Sequence, residues 1–128
     1  MLRLPSSVRI FLAAEPTDMR KGFDGLAALV EARGEDVYSG HLFVFVSRRG
    51  DRVKVLTWDR GGFVLWYKRL ERGRFRMPAM PEGARRVELD AGQLAMLLDG
   101  VDLARVRRQR VWEPRRRVAR GIDRRKSA

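Results

Sequence analysis

The stretch LFVFVSRRGDRVKVLTWDRGGFVLWYKRL, residues 42–70, decides the fold of this chain. It holds three segments rich in β-branched and aromatic residues: 42–47, 52–59 and 63–70. The connections between them, 48–51 and 60–62, are short and contain glycine, as is typical of antiparallel hairpins. The stretch therefore predicts an antiparallel β-meander. Its first strand is apolar at every position from Leu42 to Val46, so we expect it to lie at the centre of a sheet.

The second and third strands of this meander alternate in character, and alternate side chains of a strand point to opposite faces. Cationic and aromatic residues at alternate positions suggest a platform on which unpaired bases could stack: Lys54, Trp58, Trp66 and Lys68. The alternative interpretation is that these aromatic residues belong to the core.

One strand and one helix are predicted before the meander. Residues 8–13 form a short, mainly apolar segment, which is typical of a strand. Thr17 or Asp18 can cap a helix, because a short side-chain oxygen accepts the free amide hydrogens of the first turn. Apolar residues then recur at helical spacing: Met19, Phe23, Leu26, Ala27 and Val30. We predict a helix over residues 18–33 that ends at Gly34.

Two short strands and a second helix are predicted after the meander. The strands are residues 74–77 and 86–89, and Asp90 and Gln93 have the spacing of a capping box at the start of a helix over 90–99. The predicted fold class is therefore α+β: an antiparallel β-meander of four to five strands packed with one longer and one short helix, followed by a basic C-terminal tail.

The positive charge is concentrated at the C-terminal end. The chain has 128 residues and a net charge of +12; Arg105 to Ala128 contribute 11 basic and 2 acidic residues, and residues 1–104 contribute 17 and 14. We predict a single α+β domain over 1–104 and an arginine-rich, largely flexible tail over 105–128. Such a charge excess attracts polyanions, of which nucleic acid is the abundant one.

Composition also excludes several classes of protein. The chain has no cysteine, which excludes disulfide frameworks and thiolate metal sites and is typical of a reducing compartment. No apolar run approaches the ~20 residues of a membrane-spanning helix. We therefore expect a cytoplasmic protein with no membrane partner.

Basic residues in the predicted loops, at the start of the first helix and in the tail are the candidate contacts to DNA. Arg20 and Lys21 are predicted in the first helical turn, where they add to the positive end of the helix dipole unless a phosphate binds. The full set of candidate DNA-binding residues is Arg20, Lys21, Arg48, Arg49, Arg52, Lys54, Lys68, Arg69, Arg72, Arg74, Arg107, Arg108, Arg110, Arg115, Arg116 and Arg117. For the loops and the helix start, a merely solvated basic surface is the competing interpretation.

No arrangement of reactive residues predicts an enzyme. His41 is the single histidine and no serine or cysteine is evidently paired with it. Acidic residues could in principle hold the two metal ions of a nuclease: Asp18, Asp24, Asp59, Glu71 and Asp90. Two of these, Asp18 and Asp90, are already explained as helix caps. We therefore predict no catalytic residues, no metal and no cofactor.

Several motifs in order resemble one protein family. TDMRKGFDGL (17–26), SGHLFVF (39–45), RRGD (48–51), KVL (54–56) and KRLERGRF (68–75) are similar to the TnpB-type accessory protein of the insertion-sequence-sixty-six family of bacterial transposons. The resemblance runs from about Pro5 to Pro114, and the arginine-rich extension beyond it departs from the family's pattern.

The resemblance implies a non-catalytic protein required for transposition of a bacterial insertion sequence, with DNA and the separate transposase of the same element as partners. The leading hypothesis is a DNA-binding factor that assists the transposase. The alternative is a protein-interaction adaptor for the transposase with only non-specific nucleic-acid contact.

Overall fold

The computed structural model describes residues 7–99 of the chain. These residues form a five-stranded sheet with a helix on each face. Its elements in chain order are β1 (Ile10–Ala13), α1 (Phe23–Ala32), β2 (Leu42–Val46), β3 (Arg52–Asp59), β4 (Gly62–Arg69), β5 (Arg86–Leu89) and α2 (Ala91–Leu98). The strand order is β4-β3-β2-β1-β5. The predicted meander β2-β3-β4 is confirmed, with antiparallel pairing throughout.

The sheet is mixed, so the prediction of a purely antiparallel sheet is wrong. β1 runs parallel to β2, and β5 runs antiparallel to β1. The cause is α1, which lies in the connection between β1 and β2 and returns the chain to the end from which β1 started. A helical crossover of this kind produces a parallel pair.

Two hydrophobic layers hold the helices against the sheet. On one face, Leu26 and Val30 of α1 pack against alternate residues of the central strands, which include Phe11, Phe43 and Phe45. On the other face, the leucines of α2 meet the intervening residues: Leu94, Leu97 and Leu98 against Ile10, Leu12, Leu42, Val44, Val46, Val53, Val55 and Leu89. Every residue of β2 is buried, which confirms its predicted central position.

The first helix begins later than the sequence predicts. Its N-cap is Gly22, and Asp18 instead accepts hydrogen bonds from the backbone and the guanidinium of Arg20. A short turn results, closed by the N–H of Lys21 donating to the Asp18 carbonyl at 3.1 Å. The prediction that Arg20 and Lys21 lie in the first helical turn is therefore wrong. The predicted end is confirmed, since Gly34 follows the helix with a φ of +81°.

After the meander, one predicted strand is absent, whereas the predicted strand over residues 86–89 and the start of the second helix are confirmed. Residues 74–77 form no strand; Phe75 is buried, and its N–H donates to the Gly50 carbonyl in the β2–β3 hairpin. The capping box is confirmed, with the Gln93 N–H donating to Asp90 at 2.7 Å and the Asp90 N–H to the Gln93 side chain at 2.9 Å. The predicted tail over 105–128 lies outside the described residues.

Neither helix in the described part of the chain approaches the length and apolar character needed to cross a membrane, since α1 has 10 residues and α2 has 8.

Candidate nucleic-acid interface

Three loops that carry basic residues meet at one end of the sheet. The register places the ends of β1, β2 and β4 at the same edge as the beginnings of β3 and β5. Residues 14–22 follow β1, residues 47–51 join β2 to β3, and residues 70–76 follow β4. We call this edge, with these three loops and the adjoining Arg52 and Arg69, the basic end. Most of the candidate cations that the sequence nominated outside the tail lie there: Arg20, Lys21, Arg48, Arg49, Arg52, Arg69, Arg72 and Arg74.

The first loop is fixed to the sheet through its backbone. The Thr17 N–H donates to the Val46 carbonyl at 2.9 Å, which ties the loop to the end of β2. Lys54 reaches from β3, and its ammonium donates to the carbonyls of Met19 and Lys21 at 2.8 and 2.9 Å. Thr17 is buried and Met19 packs against the core, whereas Arg20 is not needed as an anchor and faces solvent.

Arg20 is the most exposed cation of this loop, with 91% of its side chain accessible. It forms an ion pair with Asp18 at 2.7 Å. The Arg20 guanidinium and backbone N–H beside Asp18 hold the pKa of that carboxyl well below its ordinary value. An exposed pair of this kind is only weakly bound, so a phosphate can compete for the guanidinium.

The second loop is the β2–β3 hairpin. The Arg52 N–H donates to the Ser47 hydroxyl at 3.1 Å, and the hydroxyl donates in turn to Asp51 at 3.3 Å. Gly50 has a φ of +79°, which favours glycine at this turn position. Arg48 and Arg49 project from the turn into solvent and form no ion pair within residues 7–99.

The third loop is tied to the second. The N–H groups of Leu70 and Phe75 donate to the carbonyls of Asp51 and Gly50 at 2.7 and 2.6 Å. Arg72 and Arg74 are exposed, and so is Arg76. Arg69 pairs with Glu71 at 3.0 Å on the surface. The hydrogen bonds fix the backbones of the two loops against each other, whereas most of their arginine side chains stay accessible.

An open groove separates the first loop from the hairpin. Residues 17–20 line one wall, and residues 47–49 with 51–52 line the other. Arg20 stands on one side, with Arg48, Arg49 and Arg52 on the other. These four arginines outnumber the two carboxylates of the groove, Asp18 and Asp51, so its net charge is positive and suits a phosphate backbone.

Comparison with known proteins identifies the family. Residues 8–108 match the family described as IS66 Orf2-like protein. The chain belongs to this family. The resemblance seen in the sequence motifs is thereby confirmed, and members of the IS66 Orf2-like family are accessory proteins of transposition that are not known as enzymes.

Two relatives from Sinorhizobium fredii extend the match. The uncharacterized protein y4jC is 39% identical over 108 residues, which cover 84% of this chain and 91% of y4jC. The uncharacterized protein y4hO is 40% identical over 115 residues, which cover 89% of this chain and 96% of y4hO. No solved structure matches this IS66 Orf2-like protein.

Two nominated lysines are occupied within the fold of this IS66 Orf2-like protein. Lys54 is 7% exposed and holds the first loop as described above. Lys68 lies on the opposite face of the sheet, where its ammonium donates to the Leu98 carbonyl at the end of α2, at 2.7 Å. We therefore do not count either among the accessible cations of the basic end. The nominated tail residues lie outside the described part of the chain: Arg107, Arg108, Arg110, Arg115, Arg116 and Arg117.

The predicted stacking platform does not form, because its members lie on opposite faces. In the β3–β4 register, Lys54 pairs with Tyr67 and Trp58 with Phe63, so the two predicted members on β3 share the α1 side. Trp66 and Lys68 face the α2 side, opposite Val55 and Val53. Trp58 is also engaged elsewhere, since its ring meets those of Tyr38 and Phe63 edge-on at 5.0 Å.

The platform prediction is wrong because the turn between β3 and β4 is one residue shorter than predicted. The sequence suggested a three-residue connection, 60–62, whereas β4 begins at Gly62 and only Arg60 and Gly61 form the turn. Both have positive φ, 47° and 86°, as in a type I′ hairpin. A one-residue change of register reverses the face of every side chain in the paired strand.

Sequence reasoning missed Tyr67, which the same register brings to the α1 side next to Lys54. Its ring centroid lies 4.6 Å from the Lys54 ammonium. Correct counting of the turn would have found this pairing. Among residues 7–99, no three carboxylate or histidine side chains come together as a metal site would require, and His41 accepts a hydrogen bond from the Arg9 N–H.

Proposed function

We propose that this protein is a DNA-binding accessory factor of transposition that contacts phosphates through the basic end and assists the separate transposase of its element. Family membership supports the role in transposition. The contact to DNA is our proposal, and in it the basic residues of the tail, 105–128, add further contacts to phosphate. The proposed role is binding alone and involves no catalytic step by this protein.

The convergence of charge at one edge of the sheet carries the proposal. Residues 14–22, 47–52 and 69–76 together hold nine basic residues and four acidic ones. Residues 1–104 hold 17 basic and 14 acidic residues, so the basic end has a larger net positive charge than this whole region, and the remainder is slightly negative. A merely solvated surface does not require such segregation, whereas a phosphate-binding surface does.

Arginine is the predominant cation of this surface. Its planar guanidinium binds phosphate oxygens in pairs, which a lysine ammonium cannot do with the same geometry. Contacts of this type provide affinity and position on the duplex, and they do not read sequence. The proposal therefore predicts strong salt dependence for this surface.

The decisive experiment neutralises cations at the two ends of the sheet. Arg48→Gln with Arg49→Gln removes two charges from the basic end. Arg9→Gln with Arg60→Gln removes two from the opposite end, where β1 begins and β3 turns into β4. If each hairpin arginine meets one phosphate, the slope of log affinity against log salt becomes less steep by about 2 in the first variant and is unchanged in the control. Equal loss of affinity in both variants would contradict a localised interface.

A second candidate function, an adaptor that binds the transposase, is supported by the edge strand β4. Val64 and Trp66 on its α2 side are exposed, and within residues 7–99 no strand pairs with its outer edge. Binding to element-end DNA and to random duplex, with and without residues 115–128, separates the two functions. An adaptor shows no preference for element ends in either form and loses its duplex affinity when residues 115–128 are deleted. Duplex affinity that survives the deletion supports DNA binding by the body, and a surviving preference for element ends would add recognition beyond phosphate contacts.

A further inference from the structure

Tyr67 borders the basic end on the α1 side of the sheet. Cross-strand pairs on this face follow one another toward the basic end as Leu56 with Leu65, Lys54 with Tyr67, and Arg52 with Arg69. Directly opposed side chains of an antiparallel pair, and their diagonal neighbours, lie within reach of an aromatic ring. Tyr67 therefore lies next to Arg52 and Arg69, the last cross-strand pair on this face before the loops begin.

The ring of Tyr67 contacts the Lys54 ammonium and lies outside the hydrophobic core. Phe63 and Leu65, which precede it on the same face, pack against the cluster beneath α1, whereas Tyr67 does not belong to that cluster. Half of Tyr67 is exposed. Its ring interacts with the Lys54 ammonium, which is itself fixed by the carbonyls of Met19 and Lys21.

Tyr67 differs in this respect from the other exposed tyrosine of the described chain. Tyr38 contacts the rings of Trp58 and Phe63, so its aromatic surface is already engaged. Tyr67 forms no contact with another aromatic ring in residues 7–99. An aromatic surface that is oriented by a buried cation and left open beside arginines combines the two parts of a single-strand binding site, a ring for the base and cations for the phosphate.

We infer that Tyr67 stacks on an unpaired nucleobase of DNA whose phosphates lie along the basic end, an inference that rests on the proposed function. The faces of an internal base pair are already covered by its neighbours, so only an unpaired base can offer a face to the ring. The substrate class is therefore DNA with unpaired nucleotides, such as a single strand or an opened end. Because Lys54 orients the ring in advance, little side-chain freedom is lost on binding.

The test uses three probes with the full chain: a short oligothymidylate, an abasic oligonucleotide of the same length, and a duplex. The abasic strand has the same phosphates and no bases, so all purely electrostatic binding, including that of residues 105–128, affects it equally. Tyr67→Leu should lower affinity for oligothymidylate about five- to 150-fold, the range of one base–aromatic stack, with less than about twofold change for the other two probes.

Two matched variants make the test specific. Tyr67→Phe keeps the ring above Lys54 and should bind oligothymidylate like the wild type. Trp66→Leu removes an exposed aromatic residue from the adjacent position on the opposite face and should leave all three affinities unchanged. Thermal melting of each variant shows whether it is folded. If Tyr67→Leu is not, Tyr67→Thr, which also removes the ring and suits a strand position, takes its place with the same expected loss.

Several results would overturn the inference. These are equal losses on oligothymidylate and the abasic strand in Tyr67→Leu, no loss in that variant, a comparable loss in Trp66→Leu, or a loss in Tyr67→Phe. Failure of the proposed function looks different, because neutralising Arg48 and Arg49 would then leave the affinity for all three probes unchanged. If that pair weakens binding of every probe while Tyr67→Leu weakens none, only the stacking inference fails.

Discussion

The two ends of the sheet are closed by different kinds of interaction. At the end opposite the basic end, the rings of Tyr38, Trp58 and Phe63 interlock at centroid distances of 5.0 to 5.7 Å. Side chains there hold the chain together. At the basic end the loops are fixed by backbone hydrogen bonds between residues 17 and 46, 70 and 51, and 75 and 50, by Lys54 from β3, and by the buried side chains of Thr17 and Phe75. The exposed arginine side chains take no part in this packing.

This difference explains how one small sheet can combine a stable fold with an accessible cationic surface. An arginine whose backbone is fixed and whose side chain is not needed for packing can bind a phosphate at no cost to the fold. The rings of Tyr38, Trp58 and Phe63 at the opposite end, which we call the aromatic end, have no such freedom because they pack against one another. Mutations at the aromatic end should therefore change stability and spare DNA binding, and mutations of exposed arginines should do the reverse.

The largest effect on stability is expected from Trp58→Ala. The substitution removes two edge-to-face ring contacts and the partly buried indole, so we expect the free energy of unfolding to fall by about 3 kcal/mol. Urea unfolding measures this loss, and DNA affinity of the folded variant should stay within about twofold of the wild type. The double variant of Arg48 and Arg49 is the matched comparison. If it destabilises the protein as much as Trp58→Ala does, the two ends do not differ as described.

A smaller loss is expected from Lys54→Met. Methionine fills the site, but the carbonyls of Met19 and Lys21 lose their shared donor, which should cost about 2 kcal/mol. Amide exchange locates the effect: the Lys21 N–H, bonded to Asp18, should lose protection, and the Thr17 N–H, bonded to Val46, should keep it. Lys68→Met is the control and removes the donor to one carbonyl on the other face. Uniform loss of protection across the first loop would show that Lys54 is not its specific anchor.

Asp90→Ala should destabilise by about 1 kcal/mol, since it removes the N-terminal cap of α2. Asp90 follows β5 at the aromatic end, so DNA affinity should not change. Asp90→Asn, which keeps an acceptor at the cap, should recover most of the stability in the same unfolding experiment. An alanine variant as stable as the wild type would show that α2 is held by its three buried leucines alone.

Local signals in the sequence were sufficient for much of this fold. The apolar run from Leu42 to Val46, the capping box at Asp90 and the glycine that ends α1 each act within a few residues, and the structure contains all three. Asp18 shows the limit of local reasoning. A short acidic side chain before a helix can cap it or can close a turn on its own backbone, and here it does the second.

Non-local geometry accounts for what the sequence could not provide. The parallel pairing of β1 with β2 depends on where α1 returns the chain. The candidate DNA-binding residues Arg20, Arg48 and Arg72 come from three separate stretches of sequence. Only the strand register shows that these stretches share one edge of the sheet. The faces of Lys54 and Trp66 depend on a single residue of turn length, which pattern alone leaves ambiguous.

The smallest effect concerns Asp18→Asn and its dependence on pH. Arg20 lowers the pKa of Asp18 in the folded state, so the ionised carboxylate adds stability above its unfolded pKa of about 3.9 and loses it as pH falls toward the lower folded value. The difference in unfolding free energy between wild type and Asp18→Asn should thus be largest near neutral pH and shrink in acid. It should also shrink in high salt, since both side chains are exposed.

Asp18→Asn should have opposite effects on stability and on DNA binding. The substitution removes a negative charge from the groove and releases the Arg20 guanidinium for phosphate, so affinity for duplex DNA should rise by about twofold or more at low salt while stability falls slightly. Arg20→Gln in the same background should abolish the gain. An affinity that falls in Asp18→Asn would mean that the ion pair serves to present Arg20 to DNA, and the basic end would then depend on its side-chain contacts as the aromatic end does.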